Sequence, residues 1–301
     1  MRFASYPKLF FALAFLVDVI NGVNTCFEAA SSDYRDCIPG GSHTSYPGEL
    51  WLSDCGLVDA DIPDVIACFD SFGRDMLETI DLGGNAFTKL PGDMFDGYWP
   101  ELVGLSLDRN NISYLPAGLL SELTGLEYLD LSENMLVKLP QGIFDGLTEL
   151  ESLGLDDNML TELPVGVFSD LEDMEVLDLQ SNKLVKLKHD VFDHLGERIT
   201  FLYLSDNELS KLPADLFSAS ENLKYLYLDY NNLTTLPADI FSPLIYLRIL
   251  DLRGNENLQC VPSLPENSTA TVYVPDNYVE DASCQETGEA KNCGCIICLF
   301  L

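Results

Sequence analysis

Residues 126–149 read LEYLDLSENMLVKLPQGIFDGLTE and residues 150–173 read LESLGLDDNMLTELPVGVFSDLED, so two successive stretches place Leu, Asn, Leu-Pro and Phe at the same offsets. The same Asn recurs outward from this pair, at Asn85, Asn110, Asn134, Asn158, Asn182, Asn207, Asn231 and Asn255, every 24 or 25 residues. Apolar residues stand eight, five and three places before each, as Leu102, Leu105 and Leu107 stand before Asn110. Leu-Pro follows at Leu90-Pro91, Leu115-Pro116, Leu139-Pro140, Leu163-Pro164, Leu212-Pro213 and Leu236-Pro237, and then Phe95, Phe144, Phe168, Phe192, Phe217 or Phe241. Self-similarity at such a period marks a stacked repeat protein.

In the stretch before each Asn the residues alternate, which predicts a short strand with two apolar side chains inward and three residues outward. One strand cannot bury that face alone. Stacked units lay strand beside strand in a parallel sheet, and the recurrent Asn, with two donors and an acceptor, satisfies loop backbone groups between neighbours. Each Pro sets the chain direction after the strand and forbids further ladder pairing. The Phe column fills the outer wall, and because that side is bulkier the stack curves with its sheet on the concave face. An irregular ninth unit precedes the eight, with Leu50, Leu52, Cys55 and Leu57 spelling LxLxxCxL.

The pattern LxxLxLxxNxL resembles the extracellular leucine-rich-repeat family, of the 24-residue type found in Toll-like receptor ectodomains, lamprey variable lymphocyte receptors and small leucine-rich proteoglycans. The resemblance covers about residues 76–260 and implies a curved right-handed leucine-rich-repeat solenoid with cysteine-containing caps and a recognition role. Leu187-Lys188, Leu120 and Asn257 depart from the motif, and the four-cysteine spacing of the vertebrate C-terminal cap is missing.

The chain has 301 residues, 47% of them hydrophobic, too apolar to stay disordered. Its 49 acidic and 16 basic residues give a formal charge of -33, which repels nucleic acid and anionic membrane surfaces at long range. Residues 1–25, with Arg2 and Lys8 ahead of an apolar run, read as a signal peptide, an uncleaved anchor being the alternative. A secreted or extracellular location follows, or the cell surface. The nine cysteines cluster at the two ends, as disulfides in an oxidising route do. Residues 26–75 then form an N-terminal cap, 76–260 the repeats, 261–284 a C-terminal cap in which residues 269–274 alternate like a strand, and 285–301 a tail. Cys26 with Cys37 is the obvious front pair if Cys55 is a ladder residue; two front disulfides are the equal alternative. A Cys260 to Cys284 bridge would contribute on the order of 3 kcal/mol by chain entropy.

No catalytic grouping or phosphate-binding loop emerges, and no cofactor or metal is called for: Asp156, Asp157 and Asn158 are explained by the repeat, and His189 and His194 have the wrong spacing for a helical metal pair. Sequons at Asn111, Asn232 and Asn267 are candidate glycosylation sites. The outward strand positions carry the specificity. Phe201, Tyr203, Tyr225 and Tyr227, with Ile249 beside them and Tyr128 further along, make an aromatic patch edged with negative charge by Asp229 and Asp251 and by Asp108, Asp130, Asp156 and Asp178. Such a patch fits the centre of an interface, with a basic protein favoured over a glycan. Cross-strand stacking for stability alone is the competing reading. A structural matrix protein acting by self-association is the alternative function.

Overall fold

The computed structural model describes residues 48–278 apart from 196, 197, 267 and 277. They belong to the larger of two compact units, residues 45–301. Residues 1–25, read above as a signal peptide, and Cys26, Cys37, Asn267, Cys284 and residues 285–301 lie outside the described residues.

Ten three-residue strands pair in chain order into one parallel sheet: β1 (Glu49–Trp51), β2 (Thr79–Asp81), β3 (Gly104–Ser106), β4 (Tyr128–Asp130), β5 (Ser152–Gly154), β6 (Val176–Asp178), β7 (Phe201–Tyr203), β8 (Tyr225–Tyr227), β9 (Ile249–Asp251) and β10 (Thr271–Tyr273). The registers keep equivalent residues opposite one another, for example Leu129 against Leu153 and Leu153 against Leu177. The leucine columns are therefore continuous, and their members are buried throughout. The sheet extends beyond the eight regular units at both ends. The irregular first unit contributes β1, and the alternating stretch near Cys260 contributes β10.

The Asn ladder closes the backbone groups that a stacked loop would leave unpaired. Asn158 Nδ2 donates to Leu131 O at 2.9 Å and Leu155 O at 3.2 Å, while its Oδ1 accepts the Leu136 N–H at 2.9 Å. Asn231 repeats these bonds on Leu204 O at 2.8 Å, Leu228 O at 3.1 Å and the Leu209 N–H at 3.0 Å. Among the described residues no buried side-chain nitrogen or oxygen lacks a hydrogen-bond partner. At the front, Asn85 Oδ1 accepts the Leu57 N–H at 3.0 Å, the bond each ladder Asn takes from the preceding unit. Cys55 thus occupies the first unit's Asn slot. It is also disulfide-bonded, as are Cys68 and Cys260, so the reading in which Cys55 is a ladder residue and nothing more does not hold.

On the opposite wall, Phe144, Phe168, Phe192, Phe217 and Phe241 stack with ring centroids 6.4 Å apart. Parallel strands sit about 4.8 Å apart. The wider spacing of the rings bends the stack toward the sheet, which makes the strand face the inner, concave one.

One element was not foreseen from the repeat pattern. The helix α1 (Ile62–Phe72) fills the wall of the first unit, after a single 3-10 turn at Asp59–Asp61. Pro63 stands in its first turn, where a missing N–H costs nothing, and Gly73 ends it with φ 83°. Ile62, Val65 and Phe69 turn one apolar face inward, and Phe69 packs edge-on to Trp99 at 5.5 Å.

Candidate partner-binding face

Residues on the open side of the sheet fall into three rows, set by the strand register. The first runs Thr79, Gly104, Tyr128, Ser152, Val176, Phe201, Tyr225, Ile249, Thr271. The second runs Asp81, Ser106, Asp130, Gly154, Asp178, Tyr203, Tyr227, Asp251, Tyr273. The third, two residues further on, includes Asp108, Asp156, Asp229 and Arg253.

Because strand spacing matches the contact distance of flat rings, aromatics at equivalent positions on β7 and β8 stack. Phe201 and Tyr225 lie 4.4 Å apart at 3°, and Tyr203 and Tyr227 4.9 Å apart at 3°. Phe201 and Tyr203 are 6.3 Å apart within one strand, so the four rings form a single half-buried block. Burial, with Tyr227 and Asp178 nearby, pushes the Tyr203 phenol up to about 12. Ile249 is half-buried in register with Tyr225. Tyr128 stands three strands away on β4, separated from the block by Ser152 and Val176, and is not part of it.

Of the two flanking carboxylates, Asp229 is half-buried and accepts the Ser205 hydroxyl at 2.5 Å. Asp251 is 2% exposed, and the Arg253 guanidinium holds it, with Nε 2.9 Å from Oδ1. It therefore offers no free charge to a partner. Arg253 also lies 5.0 Å over the Tyr273 ring, and Tyr230 and Tyr273 are exposed at the same end of the face. The repeat spacing places Arg253 in the third row but does not show its hold on Asp251. Nor does it single out Tyr230, which directly precedes the ladder Asn231, or Tyr273, which the strand register places beside Asp251 in the second row.

Strands β4 to β6 carry a different surface. Burial pushes the Asp156 carboxyl up to about 7, with repulsion from Asp178 and Asp130 adding to it, and pushes Asp178 up to about 6. Asp130 is raised by burial and, more weakly, by Asp108 and Glu133. Gly154 lies between Asp130 and Asp178 in the second row, where a Cβ would come within 2.9 Å of Asp130 Oδ1 and 3.7 Å of Asp156 Oδ1. Two carboxylates, Asp130 and Asp156, therefore crowd the one position on these strands without a side chain, and Asp178 is its register partner on β6. No group of metal-ligating side chains suited to an ion occurs among the described residues. Asn111 and Asn232 are exposed.

A parallel solenoid whose neighbouring units are stitched by a buried Asn ladder defines the class of protein. The leucine-rich-repeat family model matches residues 75–136, 100–160, 148–197 and 197–256, more than half of the chain, and the chain belongs to that family. No curated protein matches it. Among solved structures, a leucine-rich-repeat protein of Leptospira interrogans is 29% identical, with a TM-score of 0.58 over 72% of this chain and 54% of that one. The leucine-rich-repeat domain of the type III effector XopL is 25% identical, with a TM-score of 0.60 over 77% of each chain. Toll-like receptor 13, in its complex with single-stranded RNA, is 23% identical with a TM-score of 0.62, over 74% of this chain and 38% of the receptor. That last likeness is one of fold alone. The chain spans about half the length of the Leptospira protein and less than half of the receptor.

Proposed function

We propose that this chain is a secreted recognition protein of the extracellular 24-residue repeat type, which binds a protein partner through its strand face and performs no catalysis. The observation that carries the reading is the block of Phe201, Tyr203, Tyr225 and Tyr227, half-buried on a face where side chains do no core packing. Aromatic clusters with a charged rim are what interface centres are made of. A protein fits better than a glycan: the rings are stacked on one another, so they present edges and hydroxyls rather than the open ring face on which a sugar lies.

Secretion is supported by the apolar N-terminal run and by the cysteines at the two ends, with Cys26 and Cys37, and Cys260 and Cys284, as the proposed pairs. Exposure of Asn111 and Asn232 suits glycosylation at both. The charge of -33 disfavours nucleic acid and anionic lipid as partners.

The test is capture from the native extracellular fluid by the purified mature protein, beside a Phe201→Ala, Tyr203→Ala, Tyr225→Ala, Tyr227→Ala variant whose thermal unfolding shows that it still folds. A partner held by the unmutated protein and lost by the variant is the expected result. Equal capture by both, or capture by neither, overturns the reading.

A further inference from the structure

The aromatic block and the carboxylates beside it are different surfaces in contact, and their order along the sheet restricts what fits both. On the stretch from β3 to β6, Asp108, Asp130, Glu133, Asp156, Asp157 and Asp178 repel one another electrostatically. Arg109 is the basic residue at their N-terminal edge, and it is engaged by Asp108 at 2.7 Å and Asp54 at 3.4 Å. Between Arg109 and Lys183 the chain has one basic residue, Lys138, which lies in the loop beyond the ladder Asn. Among the described residues no ion pair reaches Asp130, Asp156 or Asp178. Charge held this way, half out of water and without a counter-ion, favours a cation brought by another molecule. From β7 onward the character changes to rings, and at β9 Arg253 closes the face over Asp251.

We propose that the strand face takes a cationic, amphipathic polypeptide segment that lies across the strands, with its Lys or Arg residues over Asp130, Asp156, Asp178 and the gap at Gly154, and its apolar side chains against the Phe201 to Tyr227 block. This rests on the recognition reading above and deepens it by naming the partner's chemistry and direction. The four strand spacings from β4 to β8 amount to about 19 Å, a length of about six extended residues or about 13 helical ones. The basic and apolar ends of the segment are therefore separated by roughly 12 Å, the distance from β5 to the middle of the ring block. A neutral sugar would leave the carboxylates unanswered, and a uniformly basic segment would leave the rings unanswered.

The experiment selects a phage-displayed library of random 12-residue peptides on the full mature chain, and in parallel on an Asp130→Asn, Asp156→Asn, Asp178→Asn variant. The Asn side chains keep the shape and remove the charge; their fold is checked by thermal unfolding, with a midpoint no lower than that of the unmutated chain. Enrichment of peptides with Lys or Arg at one end and apolar residues at the other, bound at least 10-fold more weakly by the Asn variant and weakened by salt, is the expected result. Enriched peptides without a cationic bias, peptides bound equally by the Asn variant, or no enrichment at all would overturn the proposal, as would binding of neutral hexasaccharides in place of peptides. If the native partner is lost by the aromatic variant but held equally by the Asn variant, the recognition reading stands and this inference alone fails.

Discussion

Strand β5 presents Ser152 and Gly154 where strand β8 presents Tyr225 and Tyr227. Beneath them the two units are alike: Leu153 and Leu226 are fully buried, and Asn158 and Asn231 make corresponding bonds. The fold therefore constrains one set of positions tightly and leaves the other nearly free. In the β5 region that freedom has been used to gather like charges at a cost to stability, and in the β8 region to stack rings with a gain. Differences in surface chemistry at constant architecture point to recognition, since packing requires neither.

The largest effect should be the one that does not distinguish the two regions. Replacing Asn158 or Asn231 with Leu strips donors from three carbonyls, two of them in buried bonds, and an acceptor from one buried N–H, and should cost about 3–5 kcal/mol in either place. Denaturant unfolding of the two variants should agree within about 1 kcal/mol; a large disagreement would break the claim of a shared frame.

Next in size is a difference between regions. The Tyr225→Ala change removes a stacked ring and should destabilise by about 1–2 kcal/mol. Asp156→Asn at pH 7.5 should instead stabilise, by roughly 1 kcal/mol once solvent screening is allowed for. Thermal unfolding of both checks the opposite signs.

The same carboxylates set a pH dependence. Asp156, Asp178 and Asp81 titrate in the fold at about 7, 6 and 6, above the 3.8 of a free carboxyl, so between those limits the native state binds more protons than the unfolded one. Stability therefore falls as pH rises from about 4 to 7, the reverse of the effect of a salt-bridged carboxylate. The melting temperature should climb by several degrees from pH 7.5 to pH 5.5. In the Asp130→Asn, Asp156→Asn, Asp178→Asn variant the climb should shrink, whereas in the Tyr225→Ala variant it should not.

The smallest effect concerns the residue before each ladder Asn, which takes a left-handed conformation in both regions: φ is 51° at Asp157 and 52° at Tyr230. Gly84 and Gly254 occupy the equivalent position without strain. Asp157→Gly should gain about 0.5 kcal/mol, the relief of local strain slightly exceeding the added freedom of the unfolded chain. Chemical denaturation at low salt is sensitive enough to show the sign.

Positions that recur were readable in the sequence because a period needs no knowledge of contacts. The Leu, Asn and Phe columns, the rows on the open face, the first unit with Cys55 in the Asn slot and the strand near residue 271 all follow from spacing. Helix α1 escaped because it belongs to one unit and has no counterpart to reveal it, although Pro63, Gly73 and the Ile62, Val65, Phe69 spacing are ordinary helix signals. Asp251 and Asp229 read alike as acidic edges of the aromatic patch, one from the second row and one from the third. Arg253 separates them, and whether an Arg folds back onto its neighbour depends on rotamer and local field, which no period encodes. The convergence of Asp130 and Asp156 over Gly154 is of the same kind.

Each ladder Asn bonds within its own unit and to the one before it, and to nothing further away. Excising residues 150–173 would present Asn182 to Leu131 O and the Leu136 N–H, the partners that Asn158 now serves. The chain can thus be edited by whole units, and only by whole units, with the seam closing itself after each cut. Applied at that particular unit, the cut would also carry away Gly154 and Asp156 and bring the rings one strand closer to Asp130, so gain or loss of a single unit re-spaces the rings and carboxylates of the strand face without redesigning a side chain.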